Sequence, residues 1–230
     1  MLRYLRPLRS LHSVRRLPPP WDDLRRESIP PETKAWVGRE FTRRRKRLLA
    51  VMPDVQAGVE RANATLEDPV QPEWVAAVLW DELARGSNTP VERFKDQVQR
   101  IFGDPTVGPF QIRISTARDI IRTFPALATE IPPMTNLADL LRKDLRAGAM
   151  VVAFRFAQID LHWAEAGYPP KAAGGIGPEK ISFLQLVGTL YSQGLGVPKP
   201  DPRPNERGMQ ISEWAEQIST GIPSPPDSSL

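Results

Sequence analysis

The sequence contains no cysteine, only two histidines and no Walker-type or dinucleotide-binding glycine motif. The absence of cysteine excludes disulfides, cysteine-ligated zinc and thiol catalysis. His12 and His162 are far apart in the chain, which argues against a histidine-rich metal site. No apolar run approaches the roughly 18 residues of a membrane-spanning helix. We therefore expect neither a metal nor a cofactor, which leaves carboxylate chemistry or no chemistry.

Charge is distributed unevenly along the 230 residues. Residues 1–47 hold 14 Lys and Arg against 5 Asp and Glu, whereas residues 48–230 hold 17 against 22. Because the larger part of the chain is mildly acidic, we expect no binding of nucleic acid by the protein as a whole. A helical nucleic-acid or protein-interaction module that uses the basic segment is the lowest-ranked hypothesis.

The first residues, MLRYLRPLRSLHSVRRLPPPW, carry five arginines and no acidic residue. They lack a continuous apolar stretch, so they make a poor secretory signal. We predict a basic, partly disordered arm over residues 1–30, with a delivery signal, a membrane-surface contact or a misplaced start as alternatives. A delivery or immunity partner would bind through this arm. A helical domain over residues 31–220 and a flexible tail over residues 221–230 follow.

Apolar periodicity predicts a mainly α domain with one minor β element near Gln111. The clearest helix is PEWVAAVLWDELARG, because Pro72 suits a first helical turn and Gly86 can end the helix. Another helix should begin at STAR, with Ser115 or Thr116 as its N-cap. The remaining predicted helices cover residues 31–52, 90–102, 136–166, 178–194 and 209–218, with a short helix and linker over residues 53–68.

Glu82 is the carboxyl group that this pattern singles out. It lies seven residues after Val75 and three after Leu79, so it shares their apolar helix face. It also falls in the last turn, where the helix dipole presents its negative end. Both effects disfavour a carboxylate and should raise its pKa, as a glycosidase general acid requires. The alternative is a structural ion pair at the helix end with an arginine such as Arg85.

Three short motifs occur in order: LWDE at residues 79–82, VGPFQIRISTA at residues 107–117 and GTLYSQG at residues 188–194. Together they resemble the lysozyme-like superfamily, and more narrowly the goose-type lysozymes and SLT-like lytic transglycosylases. In that family a helix ends with the catalytic Glu, a Gly-x-x-Gln segment follows, and a motif with Tyr and Gly lies on a later helix. The resemblance implies an α+β, lysozyme-like fold.

The same resemblance implies a role for each motif residue. Glu82 would be the general acid, and Gly108 and Gln111 would form the groove wall, where glycine lets backbone approach a sugar and the amide bonds an N-acetyl group. Tyr191 and Gly194 would form the third element, with the Tyr191 ring and hydroxyl near Glu82.

The activity implied is that of a peptidoglycan-cleaving muramidase or lytic transglycosylase, with glycan strands as the partner. The general acid would protonate the oxygen of the β-1,4 bond between N-acetylmuramic acid and N-acetylglucosamine. Attack by water would give hydrolysis, and attack by the muramoyl 6-hydroxyl would give a 1,6-anhydro product. Asp96 and Asp104 are candidates for a second carboxylate, and each also suits a solvated helix or turn position.

Two positions depart from the family pattern. Leu83 stands where serine usually follows the catalytic Glu, and Ser192 stands where asparagine usually follows the motif Tyr. They motivate the alternative of a catalytically silent, glycan-binding or scaffold domain of the same fold. The site of action would be the bacterial cell wall, reached through a phage, a secretion machine or an unrecognised signal.

Overall fold

The computed structural model describes residues 28–85, 106–131, 135–166, 183–196 and 203–221. Helices account for 79% of these residues, and two short strands form a small antiparallel sheet. The predicted mainly α class with a minor β element is therefore confirmed. The helix predicted over residues 90–102 lies outside the described residues, as do the first 27 residues of the arm and the tail after Gly221.

The strands β1 (Thr106–Val107) and β2 (Ile112–Arg113) pair in the register Thr106 to Arg113 and Val107 to Ile112. The helices are α1 (Pro31–Asn63), α2 (Pro72–Arg85), α3 (Ile114–Thr123), α4 (Pro125–Glu130), α5 (Leu137–Lys143), α6 (Leu145–Glu165), α7 (Phe183–Gln193) and α8 (Glu206–Gly221).

The first helix is longer than predicted, because it continues through Pro53 to Asn63. Proline has no N–H, so the carbonyl of Leu49 loses its helical hydrogen bond. Pro53 and Leu49 are both exposed, which lets water satisfy that carbonyl. The inward side of α1 is apolar before and after the proline, since Val37 and Val59 are both fully buried. Burial of one continuous face outweighs the missing bond.

Helix α6 forms the centre of the domain. Residues 147–156 are all buried, and α1, α3, α5 and α7 pack around this helix. A second group forms where α8 packs against α2 and α7. Helix α2 connects the two groups, because it contacts α1 and α6 of the first and α8 of the second. The end of α2 is thereby held where both groups of helices meet.

The single helix predicted over residues 136–166 is wrong at Asp144, where α5 ends and α6 begins. The Asp144 backbone is extended, and its Oδ1 accepts hydrogen bonds from the backbone N–H groups of Arg146 at 2.9 Å and Ala147 at 3.1 Å. An aspartate that satisfies the free donors of a new helix competes with continuation of the preceding one. The local chemistry of one residue thus divides the helix.

Three other helices differ from the sequence prediction. Helix α3 begins at Ile114 with Arg113 as its N-cap, so Ser115 and Thr116 lie inside the first turn. Helix α4 was not predicted, and it begins at Pro125, a residue that suits the first helical position. Helix α8 begins three residues before Met209, preceded by Asn205, whose Oδ1 accepts a hydrogen bond from the Gly208 N–H at 2.8 Å.

Candidate functional site

Glu82 lies in the last turn of α2, which runs from Pro72 to Arg85 as the sequence predicts within one residue. Residues 75–81 of this helix are all buried, because α1, α6 and α8 cover it. Glu82 is the first residue after that stretch to reach solvent, with 13% of its side chain exposed. The carboxyl group therefore lies at the boundary between core and surface.

The residues between β1 and β2 form a tight turn that Gln111 closes. Gln111 has a positive φ of 50°, and its backbone N–H donates to the Gly108 carbonyl at 3.1 Å. Its side-chain Nε2 donates to the same carbonyl at 2.9 Å, and its Oε1 accepts from the Thr106 hydroxyl at 2.8 Å. Both ends of the amide are thus used within the turn, and these bonds hold a left-handed conformation that non-glycine residues rarely adopt.

Gly108 serves a different contact from the one that the resemblance implied. Its φ is +73°, and a Cβ at this position would lie 2.0 Å from the backbone carbonyl oxygen of Leu141 in α5. Gly108 does not line the cavity described below. The close approach that requires glycine is therefore made to α5, which supports the turn from behind.

Tyr191 connects α7 to the same turn. Its hydroxyl donates a hydrogen bond to the Phe110 carbonyl at 3.0 Å, and its ring meets Phe156 edge-on with centroids 6.3 Å apart. Burial raises the pKa of Tyr191, and the nearby charge of Glu82 raises it further. The hydroxyl thus stays protonated and fixes the turn relative to α7.

A cavity of about 440 Å³ lies between α2, the turn, α6 and α7. This volume falls within the range of roughly 300–1,000 Å³ that is usual for small-molecule sites. Four of the predicted site residues line it: Glu82, Gln111, Tyr191 and Gly194. The proposed second carboxylates, Asp96 and Asp104, lie outside the described residues. The lining also includes Arg113, Arg155, Ser192 and Arg207.

Glu82 is paired with an arginine, although not with the one that the sequence suggested. Nη2 of Arg207 in α8 donates to Oε1 of Glu82, whereas Arg85 pairs with the neighbouring Asp81. Burial raises the pKa of Glu82 and the charge of Asp81 adds to the rise, while Arg207 and Arg85 oppose it. The balance is a raised pKa, in the direction predicted from the helix face.

Asp81 has no exposed surface and holds two arginines. Its Oδ2 accepts hydrogen bonds from Nε of Arg85 and Nε of Arg207, each at 2.9 Å, and no described residue bonds to its Oδ1. Burial raises the pKa of Asp81, and this effect outweighs the guanidinium groups of Arg85 and Arg207, which lower it. Arg85 is 38% exposed, so water weakens its opposing effect.

Sequence reasoning missed Asp81, Arg155 and Arg207 as parts of the site. Arg155 interrupts the apolar run of α6, and this was a usable indication, since a buried arginine needs a polar partner. Asp81 lies four residues before Arg85 on a helix that is apolar on almost every side, which points to a buried ion pair. Arg207 gives no local indication, because its partners are 125 and 126 residues away in the sequence.

Comparison of the chain with protein-family models, curated proteins and solved structures finds no match. The resemblance to lysozyme-like enzymes therefore depends on the three motifs alone. Among the described residues, no helix combines the length and apolar character needed to cross a membrane. The same residues include no group of three or more histidine or acidic side chains placed to hold a metal ion.

Proposed function

We propose that the protein is a peptidoglycan-cleaving muramidase or lytic transglycosylase that acts on the β-1,4 bond between N-acetylmuramic acid and N-acetylglucosamine. The observation that carries the proposal is the cavity in which Glu82, with its raised pKa, meets Gln111, Tyr191 and Gly194. These residues come from three separate motifs, and only a folded chain brings them to one place.

The chemistry begins with a protonated Glu82 carboxyl, which donates its proton to the glycosidic oxygen as the bond breaks. Proton donation leaves a carboxylate, and the Arg207 guanidinium beside it stabilises that negative charge. The Tyr191 hydroxyl donates its hydrogen bond to the Phe110 carbonyl, so towards a ligand it can act only as an acceptor. The leaving sugar departs with that proton, water or the muramoyl 6-hydroxyl attacks the anomeric carbon of the oxocarbenium-like sugar, and the proton that the nucleophile loses passes to the Glu82 carboxylate or to solvent.

Digestion of purified sacculi by the wild-type protein and by Glu82→Gln tests this proposal. The amide has no carboxyl proton to donate, so release of muropeptides should fall by about 100-fold to 10,000-fold. Mass spectrometry of the products distinguishes reducing ends from 1,6-anhydro ends. Glu73→Gln is the matched control, because Glu73 lies in the first turn of the same helix and does not line the cavity. Equal release by Glu82→Gln and wild type would contradict the proposal, as would the absence of release by wild type.

A catalytically silent glycan-binding domain is the second candidate, and the ion pair between Glu82 and Arg207 favours it. A cation in contact with a carboxyl group favours the charged form, which cannot act as an acid. This candidate predicts that wild type and Glu82→Gln bind glycan strands with equal affinity and that neither releases product.

A further inference from the structure

The cavity carries an excess of positive charge. Among its described lining residues three are arginines, Arg113, Arg155 and Arg207, and Glu82 is the one acidic residue. Arg207 is already balanced, since it bonds to both Glu82 and Asp81. When both carboxyl groups are ionised, Asp81 and Glu82 together with Arg85 and Arg207 form a group with no net charge. The excess therefore comes from the other two arginines.

Arg155 is the buried member of that pair. Only 7% of it is exposed, whereas Arg113 is exposed. Its Nη1 donates to Oε1 of Gln158 at 2.6 Å, and within the described segments no carboxylate lies at ion-pair distance from it. A guanidinium group has five N–H donors, so most of its donor capacity is unused by this bond. Burial lowers the pKa of Arg155, as expected for a cation without a close counter-charge.

Gln158 fixes the position of the Arg155 guanidinium. The Gln158 side chain is buried, and its Nε2 donates to Oδ2 of Asp119 at 2.9 Å and to the Thr123 hydroxyl at 3.2 Å. Because the amide nitrogen has these two acceptors in α3, the amide oxygen must point to Arg155. The charge of Asp119 opposes the effect of burial on the pKa of Arg155, but Asp119 contacts the amide and forms no direct ion pair with the guanidinium. The arginine is held in place, and with respect to the described residues its remaining donors are left for a ligand.

We propose that Arg155 binds a carboxylate of the ligand in this cavity, and that the ligand is an acidic sugar of the N-acetylmuramic acid type whose lactyl carboxyl is not joined to a peptide stem. A desolvated cation with no carboxylate in contact destabilises the empty site, and a ligand carboxylate supplies that contact. A planar carboxylate also matches the guanidinium fork in a bidentate pair. A singly charged group fits better than a phosphate dianion, because Glu82 in the same cavity becomes negatively charged once it has given up its proton. The identity of the sugar rests on the proposed function, whereas the anion site does not.

N-acetylmuramic acid and its methyl ester are the probes, because they share every ring contact and differ in one negative charge. Titration of the full-length chain by calorimetry or NMR should show that the acid binds about tenfold more tightly or better, the difference expected for a charge-assisted hydrogen bond. Arg155→Gln should abolish this preference. Arg142→Gln should preserve it, since Arg142 is an exposed arginine of α5 that does not line the cavity.

Arg155→Lys covers the case in which Arg155→Gln fails to fold, because it keeps the charge and loses the fork. Its preference for the acid should be several-fold smaller than that of wild type. Equal affinity of wild type for acid and ester would overturn the inference, as would no binding of either or an undiminished preference in a folded Arg155 variant. If the preference holds but sacculi are not cleaved, the proposed function fails and the anion site remains. If sacculi are cleaved without the preference, the anion site fails and the proposed function remains.

Discussion

Asp81 and Glu82 are neighbours in the sequence, and one guanidinium group, that of Arg207, bonds to both. Asp81 is fully buried and uses one oxygen to hold Arg85 and Arg207 together. Glu82 contacts Arg207 as well, but its side chain reaches the cavity. The first carboxyl therefore positions the arginine, and the second is left to meet a ligand. The two adjacent carboxyl groups therefore differ in their contacts, because Asp81 faces the core and Glu82 faces the cavity.

At the residue scale, Arg207→Gln should shift the pH dependence of sacculus cleavage. Under the proposed mechanism activity requires protonated Glu82, so it should be high below the raised pKa and fall as the pH rises through it. Arg207 lowers the pKa of Glu82, so its removal should raise that pKa and move the alkaline limb of the rate profile to higher pH. The pH at which the alkaline limb falls is measured from initial rates of muropeptide release at a series of pH values.

The matched control is Arg43→Gln, which removes an exposed arginine of α1 that pairs with Glu40. It should leave the limb in place, and a limb at lower pH in Arg207→Gln would contradict the assignment of Glu82. The contribution of Glu82 to the free energy of unfolding should also decrease as the pH rises. Because the folded-state pKa of Glu82 lies above the unfolded value, its protonation favours folding. This contribution is complete below the unfolded pKa and is lost as the pH rises through the folded one.

At the scale of elements, the helices and strands that depend on local sequence patterns could be predicted from the sequence. Helix α2 was predicted from its apolar spacing and Pro72, and the β element from the turn at Gly108. The break at Asp144 was missed because a long apolar run suggested one helix, while the deciding capping bonds involve only two backbone N–H groups. Arg207 was missed because its partners in α2 are distant in the sequence and come near only when α8 packs against α2.

Gly108→Ala should destabilise the fold and disturb the turn that presents Gln111. The left-handed backbone alone costs a residue with a Cβ about 1–2 kcal/mol, and the clash with the Leu141 carbonyl adds to this. Chemical denaturation measures the change in the free energy of unfolding. Gly38→Ala is the control, because Gly38 lies within α1 with no atom near its missing Cβ, and alanine should stabilise that helix by about 0.5–1 kcal/mol. If the two variants were equally stable, contact with α5 would not be what requires glycine.

At the scale of the whole molecule, the basic run at residues 43–47 is partly used within the fold. Arg43 and Arg44 bond to Glu40, and Arg45 donates to the Gly221 carbonyl at the end of α8 at 2.7 Å. A cation suits the negative end of a helix dipole. These bonds leave less of the run for an external phosphate.

Removal of residues 1–27 should leave sacculus cleavage and thermal unfolding unchanged, because the described core begins at Ile29 and the described cavity lining begins at Glu82. A longer deletion to residue 47 would remove Val37 and Phe41 from the core and is expected to unfold the chain. Circular dichroism and the muropeptide assay compare the full-length chain with the shorter deletion. A folded deletion variant without activity would place part of the site in the first 27 residues.

The bond between Arg207 and Glu82 has a consequence for synthesis of the chain. The acid is made early, but the guanidinium that holds it is added 125 residues later, in α8. A nascent polypeptide, or one that terminates before α8, carries Glu82 without its clamp and without the α8 surface that covers α2. The finished environment of the carboxyl therefore arises only once α8 has left the ribosome.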